Sequence, residues 1–81
     1  MNKKDNLIVA EVDNEGMVID VKRGKSFYLN ETALIIFKML REGKGDDQIK
    51  EYIMNTYEVS EDILIEDIKR IKRECISKKL I

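Results

Sequence analysis

The apolar residues of this chain change period at Asn30, and that switch limits its architecture more than any other feature. Before Asn30 the chain offers short β-branched runs; after it, apolar positions recur at helical spacing. Residues 7–12 (Leu-Ile-Val-Ala-Glu-Val) and 17–22 (Met-Val-Ile-Asp-Val-Lys) predict two strands. Between them lies Asp13-Asn14-Glu15-Gly16, which predicts a four-residue hairpin loop whose glycine can supply a positive φ. Met17, Ile19 and Val21 alternate with Val18, Asp20 and Lys22, the period of a half-buried strand. Arg23-Gly24-Lys25 predicts a second turn. Residues 26–29 then form a short third strand, with Phe27 and Leu29 on one face and Tyr28 on the other.

Asn30 is a good helix N-cap, and Glu31 follows in the first turn, where its charge suits the helix dipole. Ala33, Ile36, Phe37 and Leu40 mark one face of this helix, and Gly43 sits where it would close. A second helix is predicted over 46–57, with Ile49, Tyr52 and Ile53 on its stripe. Ser60, Glu61 and Asp62 open a third helix that runs to about Ser77. Its stripe is Leu64, Ile65, Ile68, Ile71, Cys75 and Ile76, roughly 140° of the helical wheel and wider than one neighbour requires. Leu80-Ile81 closes the chain with an apolar pair. The order predicts an α+β fold, a three-stranded antiparallel sheet followed by three helices, resembling a winged helix-turn-helix. If sequential strands pair, the third strand is an open edge, a liability unless something covers it.

Eighty-one residues predict one domain over 1–81, with a core that supplies roughly 3–5 kcal/mol of net stability. Cys75 is the only cysteine, so no disulfide is available. A lone thiol without a secretory pattern predicts a reducing, cytoplasmic location. The apolar run Leu7-Ile8-Val9-Ala10, interrupted by Glu11 and Asp13, is far too short for a membrane span. Fifteen basic residues against sixteen acidic ones leave a net charge of −1, with no global attraction to nucleic acid or an anionic membrane. With no histidine, neither a zinc site of the usual composition nor a His-activated nucleophile can be built from this chain alone. No pair of carboxylates stands out. The expectation is a binding protein without catalytic residues, metal or cofactor.

The run Tyr28-Leu29-Asn30, Thr32-Ala33, Phe37, Leu40 and Gly43 resembles the hallmark segment of PqqD-like proteins. Ile49, Tyr57-Glu58-Val59, Asp67-Ile68, Ile71, Cys75 and Leu80-Ile81 are similar to the remainder of that pattern, so the resemblance runs from about Gly16 to Ile81. Three positions depart from it: Phe37 where a larger aromatic is common, Lys72 where leucine is usual, and Lys79 where glycine is usual. The resemblance implies a RiPP recognition element, in which the leader of a ribosomally made, post-translationally modified peptide adds a strand to the third strand's edge. The leader then lies between that strand and the third helix, presented to a separate modifying enzyme (radical or other) or leader protease. The physics is strand addition, with backbone hydrogen bonds for affinity and side-chain pockets for selectivity.

On this reading the peptide-binding residues are Lys25, Ser26, Phe27, Tyr28 and Leu29 of the third strand, with Leu64, Ile68, Ile71, Lys72 and Cys75 of the third helix. Leu64 and Lys72, at the margins of the stripe, are the expected groove positions, and Ile68, Ile71 and Cys75 face the core in part. From Glu58 to Asp67 there are five acids and no bases; from Ile68 to Ile81 there are six bases and one acid. The plain explanation of this asymmetry is complementarity to the helix dipole and solubility; the functional alternative is that the basic end attracts an acidic leader or, as a runner-up, nucleic acid. The competing reading is a small winged-helix DNA-binding regulator. Against it stand the net charge and the acids opening the would-be recognition helix, which would repel phosphates. A structural partner protein is the third reading. Monomer and dimer are both compatible with the sequence.

Overall fold

The computed structural model describes residues 7–80. Residues 1–6, and Ile81 of the expected terminal apolar pair, lie outside the described residues. Strands β1 (Leu7–Val12), β2 (Glu15–Asp20) and β3 (Lys25–Leu29) form an antiparallel sheet in the order β1-β2-β3. Helices α1 (Glu31–Arg41), α2 (Asp46–Thr56) and α3 (Glu61–Ser77) follow. The α+β order is the expected one; several boundaries and faces differ.

The first hairpin turns on two residues rather than four. Asp13 (φ 50°) and Asn14 (φ 68°) both occupy the left-handed region, and Val12 pairs with Glu15 across them. A two-residue turn of this kind matches the right-handed twist of the strands, and Asp and Asn tolerate the conformation best after glycine. Glu15 and Gly16 therefore belong to β2, which starts two residues early and ends at Asp20. Gly16 serves as clearance instead of supplying the turn: a Cβ there would lie 2.7 Å from Leu34 Cδ1 on α1. A side chain at this position would force the buried Leu34 side chain to shift.

That register settles which face of β2 is buried. Val18 and Asp20 are buried, whereas Met17 is 41% exposed and Val21, beyond the strand, 58%. The more apolar of the two alternating sets faces outward. Asp20 tolerates burial because its carboxylate accepts from the Arg23 backbone N–H at 3.1 Å and from Arg23 Nη1 at 3.2 Å. The Gly24 N–H donates to the Asp20 carbonyl at 2.8 Å, and Gly24 has φ 68°. A buried carboxylate so paired also closes the turn, which leaves Lys25 as the first residue of β3.

Asn30 caps α1 as expected, its Oδ1 accepting from the Ala33 N–H at 2.9 Å. The helix buries Ala33, Leu34, Ile36 and Phe37. It ends in a Schellman motif, with Gly43 at φ 85°, its N–H on the Leu40 carbonyl and the Lys44 N–H on the Met39 carbonyl, each at 3.0 Å. In α2, Ile49 and Ile53 are buried, but Tyr52, expected on the same stripe, is 48% exposed. Ser60 precedes α3 without making a side-chain cap bond.

The third helix buries Leu64, Ile68, Ile71 and Cys75. It packs on both α1 and α2, which is why its apolar stripe is broader than one neighbour requires. Ile65 is half-buried and Ile76 exposed, so the buried part is narrower than the sequence suggests. A second Schellman motif ends it. Lys79 sits at φ 58°, its N–H donates to the Ile76 carbonyl at 3.1 Å, and the Leu80 N–H donates to the Cys75 carbonyl at 2.7 Å. The turn drives Leu80 into the core. Glycine is the usual residue at such a position; a lysine costs on the order of 1 kcal/mol there. Among the described residues, no helix is long and apolar enough to cross a membrane.

Candidate functional site

β2 occupies one side of β3, and no described strand occupies the other. Because α3 is held by α1 and α2 instead of by the sheet, it stands alongside β3 without closing on it. The gap is a groove of about 440 Å³. Ser26, Phe27, Tyr28, Leu29 and Asn30 line it on the sheet side, and Arg70, Ile71, Glu74, Cys75 and Lys78 on the helix side. Val18, Ala33, Phe37 and Leu80, with the inward-facing Ile71 and Cys75 of α3, form its floor, and all six belong to the hydrophobic core. An extended segment laid here would meet apolar side chains below and the backbone edge of β3 beside it.

The helical wall has an ordered rim. Glu74 accepts from Arg70 Nη1 and from Lys78 Nζ, each at 3.3 Å, and Arg70 Nη2 reaches Asp67 Oδ1 at 3.4 Å. Exposed pairs of this kind contribute only about 0.2–1 kcal/mol each. Linked in a row, they lay three long side chains along the wall. Lys78 Nζ also stands 5.4 Å from the centre of the Phe27 ring, a cation–π contact joining helix to strand at one end of the groove. Beyond Phe27 and Lys78 the groove continues into a trough of about 390 Å³, lined by Asp20, Arg23, Lys25, Ser77 and Lys79.

Two ionisable side chains at the groove shift their proton affinity. Burial, and secondarily the charge of Glu74, pushes the Cys75 thiol up to about 11, so it stays protonated at neutral pH. A protonated, buried thiol is a small apolar surface and a poor nucleophile. Tyr28, on the opposite face and 61% exposed, has its phenol raised by desolvation and then by Glu15.

The structure brings together in this groove six of the ten residues expected to bind: Ser26, Phe27, Tyr28, Leu29, Ile71 and Cys75. Lys25 lies in the adjoining trough. Leu64 and Ile68 do not join them; they are buried at 1% and 2% exposure, inside the core and not at a groove margin. Lys72 turns the other way, its Nζ 3.2 Å from Asp46 on α2. A helical wheel tells which residues share a face, but not which neighbour each flank meets. Here the flank through Ile68 and Lys72 faces α2, and the flank through Arg70, Ile71, Glu74 and Lys78 faces β3. Arg70, Glu74 and Lys78 were the residues missed. Their signal is the i, i+4, i+8 row they form beside Ile71 and Cys75, readable only once the flank is known.

The sequence profile of the family described as coenzyme PQQ synthesis protein D (PqqD) matches residues 15–81. Among solved structures, the fold superimposes with a TM-score of 0.78 on TbiB1 in complex with the TbiA(beta) leader peptide. Identity there is 26%, covering 99% of this chain and 93% of that one. It also superimposes, with a TM-score of 0.75, on lasso peptide synthetase B1 complexed with the leader peptide, at 23% identity over 90% of this chain and 86% of that one. No curated protein sequence matches.

Proposed function

The chain belongs to the PqqD family, and from that membership and the β3–α3 groove we propose that it binds the leader segment of a ribosomally made precursor peptide. The leader adds an antiparallel or parallel strand to β3, and alternate side chains point down onto the floor of Phe37, Ile71, Cys75 and Leu80. The observation that carries this reading is the coincidence of an unpaired strand edge with an apolar floor and a separate wall. Each new backbone hydrogen bond replaces one to water and contributes only about 0.5–1.5 kcal/mol. Burial of the downward-facing side chains supplies the larger part, at roughly 25 cal/mol per Å². The similar fold of TbiB1, which is complexed with a leader peptide, supports the same assignment.

In this role the chain performs no chemistry. It acts as one binding unit over 1–81, in the cytoplasm, and presents the peptide to a separate modifying enzyme or leader protease. The raised proton affinity of Cys75 supports this, since the one soft nucleophile at the groove is held as a thiol. The test is titration of isotope-labelled protein with synthetic leader peptides of candidate precursors. Amide shifts should concentrate at Ser26–Leu29 and at Arg70–Lys78. Shifts centred on the β1–β2 hairpin would put the docking edge elsewhere and overturn the assignment.

A further inference from the structure

The trough that extends the groove past Phe27 gathers cations from two unrelated parts of the chain. Arg23 and Lys25 come from the β2–β3 turn and the start of β3, and Lys78 and Lys79 from the end of α3. Two of the four are neutralised. Arg23 pairs with the buried Asp20 at 3.2 Å, and Lys78 with Glu74 at 3.3 Å. Lys25 and Lys79 have no ion pair among the described residues, whereas on α3 Arg70 pairs with both Asp67 and Glu74, and Lys72 with Asp46. Two uncompensated ammonium groups therefore line one small trough.

The helix dipole accounts for cations at the end of α3, but not for Lys25, which the sheet supplies. It also does not account for the backbone of Lys79. That residue holds φ 58° at a helix terminus where glycine would cost less, so a side chain is retained at the expense of stability. The trough shares Phe27 and Lys78 with the apolar groove, so one extended peptide can occupy both.

The geometry points to an acidic side chain of the bound peptide, aspartate or glutamate, lodged between Lys25 and Lys79. This rests on the groove being a peptide site, and it names the class of peptide: acidic at one end, apolar at the other. Lys25, Phe27 and Leu29 are alternate residues on one face of β3, so their opposite numbers on an added strand also alternate. The acid therefore falls two or four positions from the apolar residues that enter the groove, and on the same face. The end near Lys25 reads charge, and the end near Leu29 reads apolar shape.

The experiment selects a displayed random-sequence peptide library against the immobilised full chain and, in parallel, against Lys25→Glu/Lys79→Glu. The unsubstituted protein should enrich peptides with Asp or Glu at an even spacing from an apolar pair. The double variant should favour Lys or Arg at that position and keep the apolar pair, weakening the original peptides about tenfold. A second variant, Lys25→Ala/Lys79→Gly, removes both charges while easing the backbone; it should lose the preference without reversing it. Circular dichroism checks that both fold, and the second variant decides should the first unfold. Peptides that dock in the groove without acidic preference, or with the same preference in all three proteins, overturn the charge reading alone. Failure to enrich any peptide, or enriched peptides that ignore Glu74→Lys in the wall, overturns the peptide groove and the charge reading with it.

Discussion

The sheet has two outer strands, and only one of them has the makings of a binding site. β1 and β3 each pair with β2 on one side and are unpaired among the described residues on the other. Among the described residues no helix stands beside β1; the ion pair of Glu11 with Lys38 ties it to α1, and Ile8 is 53% exposed. Beside β3 stands α3, held off the sheet by two other helices, with core side chains showing between them. Every open sheet has unpaired edges, and their backbone groups are alike. What distinguishes β3 is the wall that shields an added strand from water and the floor that gives it apolar contact.

The sharpest contrast concerns stability. Ile71→Ala removes a side chain shared by floor and core, and should cost about 2–5 kcal/mol in denaturant unfolding. Ile8→Ala, on β1, should stay within about 0.5 kcal/mol. Equal effects would mean that the groove floor is not part of the core. Glu74→Lys replaces the acid between Arg70 and Lys78 with a third cation. It should scatter the rim and weaken leader binding by about 1–3 kcal/mol in calorimetric titration, with the fold intact. Glu11→Lys, which breaks the ion pair of β1 with Lys38, should leave binding unchanged; a loss of similar size would erase the distinction between the edges.

A third difference is in response to pH. The Cys75 thiol is raised from 9.0 to about 11 by burial, so the folded state keeps a proton that the unfolded chain releases. Its contribution is complete below about pH 9 and is lost as pH rises toward 11, a change on the order of 2 kcal/mol. Cys75→Ala should flatten that part of the stability profile, measured by unfolding at pH 8 to 11. On β1, Ile8→Ala, which touches no ionisable group, should leave the slope above pH 9 unchanged. The smallest expected effect is a gain. Lys79→Gly relieves the left-handed backbone at the end of α3 and should stabilise the chain by about 0.5–1 kcal/mol. No gain would mean that the lysine makes compensating contacts in the folded protein.

All six elements were legible in the sequence, because the period switch at Asn30 and the cap at that residue are local signals. Gly43 was legible for the same reason: a helix end wants a residue that accepts positive φ. The burial of β2 was not. Met17, Ile19 and Val21 are more apolar than Val18 and Asp20, yet the second set faces the helices. That choice depends on the two-residue turn at Asp13-Asn14, on the clearance at Gly16 and on Arg23 folding back onto Asp20, all of which are fixed by the folded geometry. The candidate site divides the same way. Its strand half follows from which strand comes last in the sheet. In its helix half, Ile71 and Cys75 line the groove as expected, whereas Leu64, Ile68 and Lys72 do not, because no local pattern shows that α2, not β3, takes that flank.

The shared floor ties occupancy to survival. Phe37, Ile71, Cys75 and Leu80 close the core from one side and line the groove from the other, so anything seated there also seals the interior. A peptide present at a hundred times its dissociation constant adds about 2.7 kcal/mol to the folded state. For a domain whose own margin is roughly 3–5 kcal/mol, that gain is more than half as large again. Proteases act on the opened chain, and its population falls by about two orders of magnitude when the groove is filled. A cell that stops making the peptide would therefore clear its binder faster, and the two would rise and fall together without any dedicated regulator.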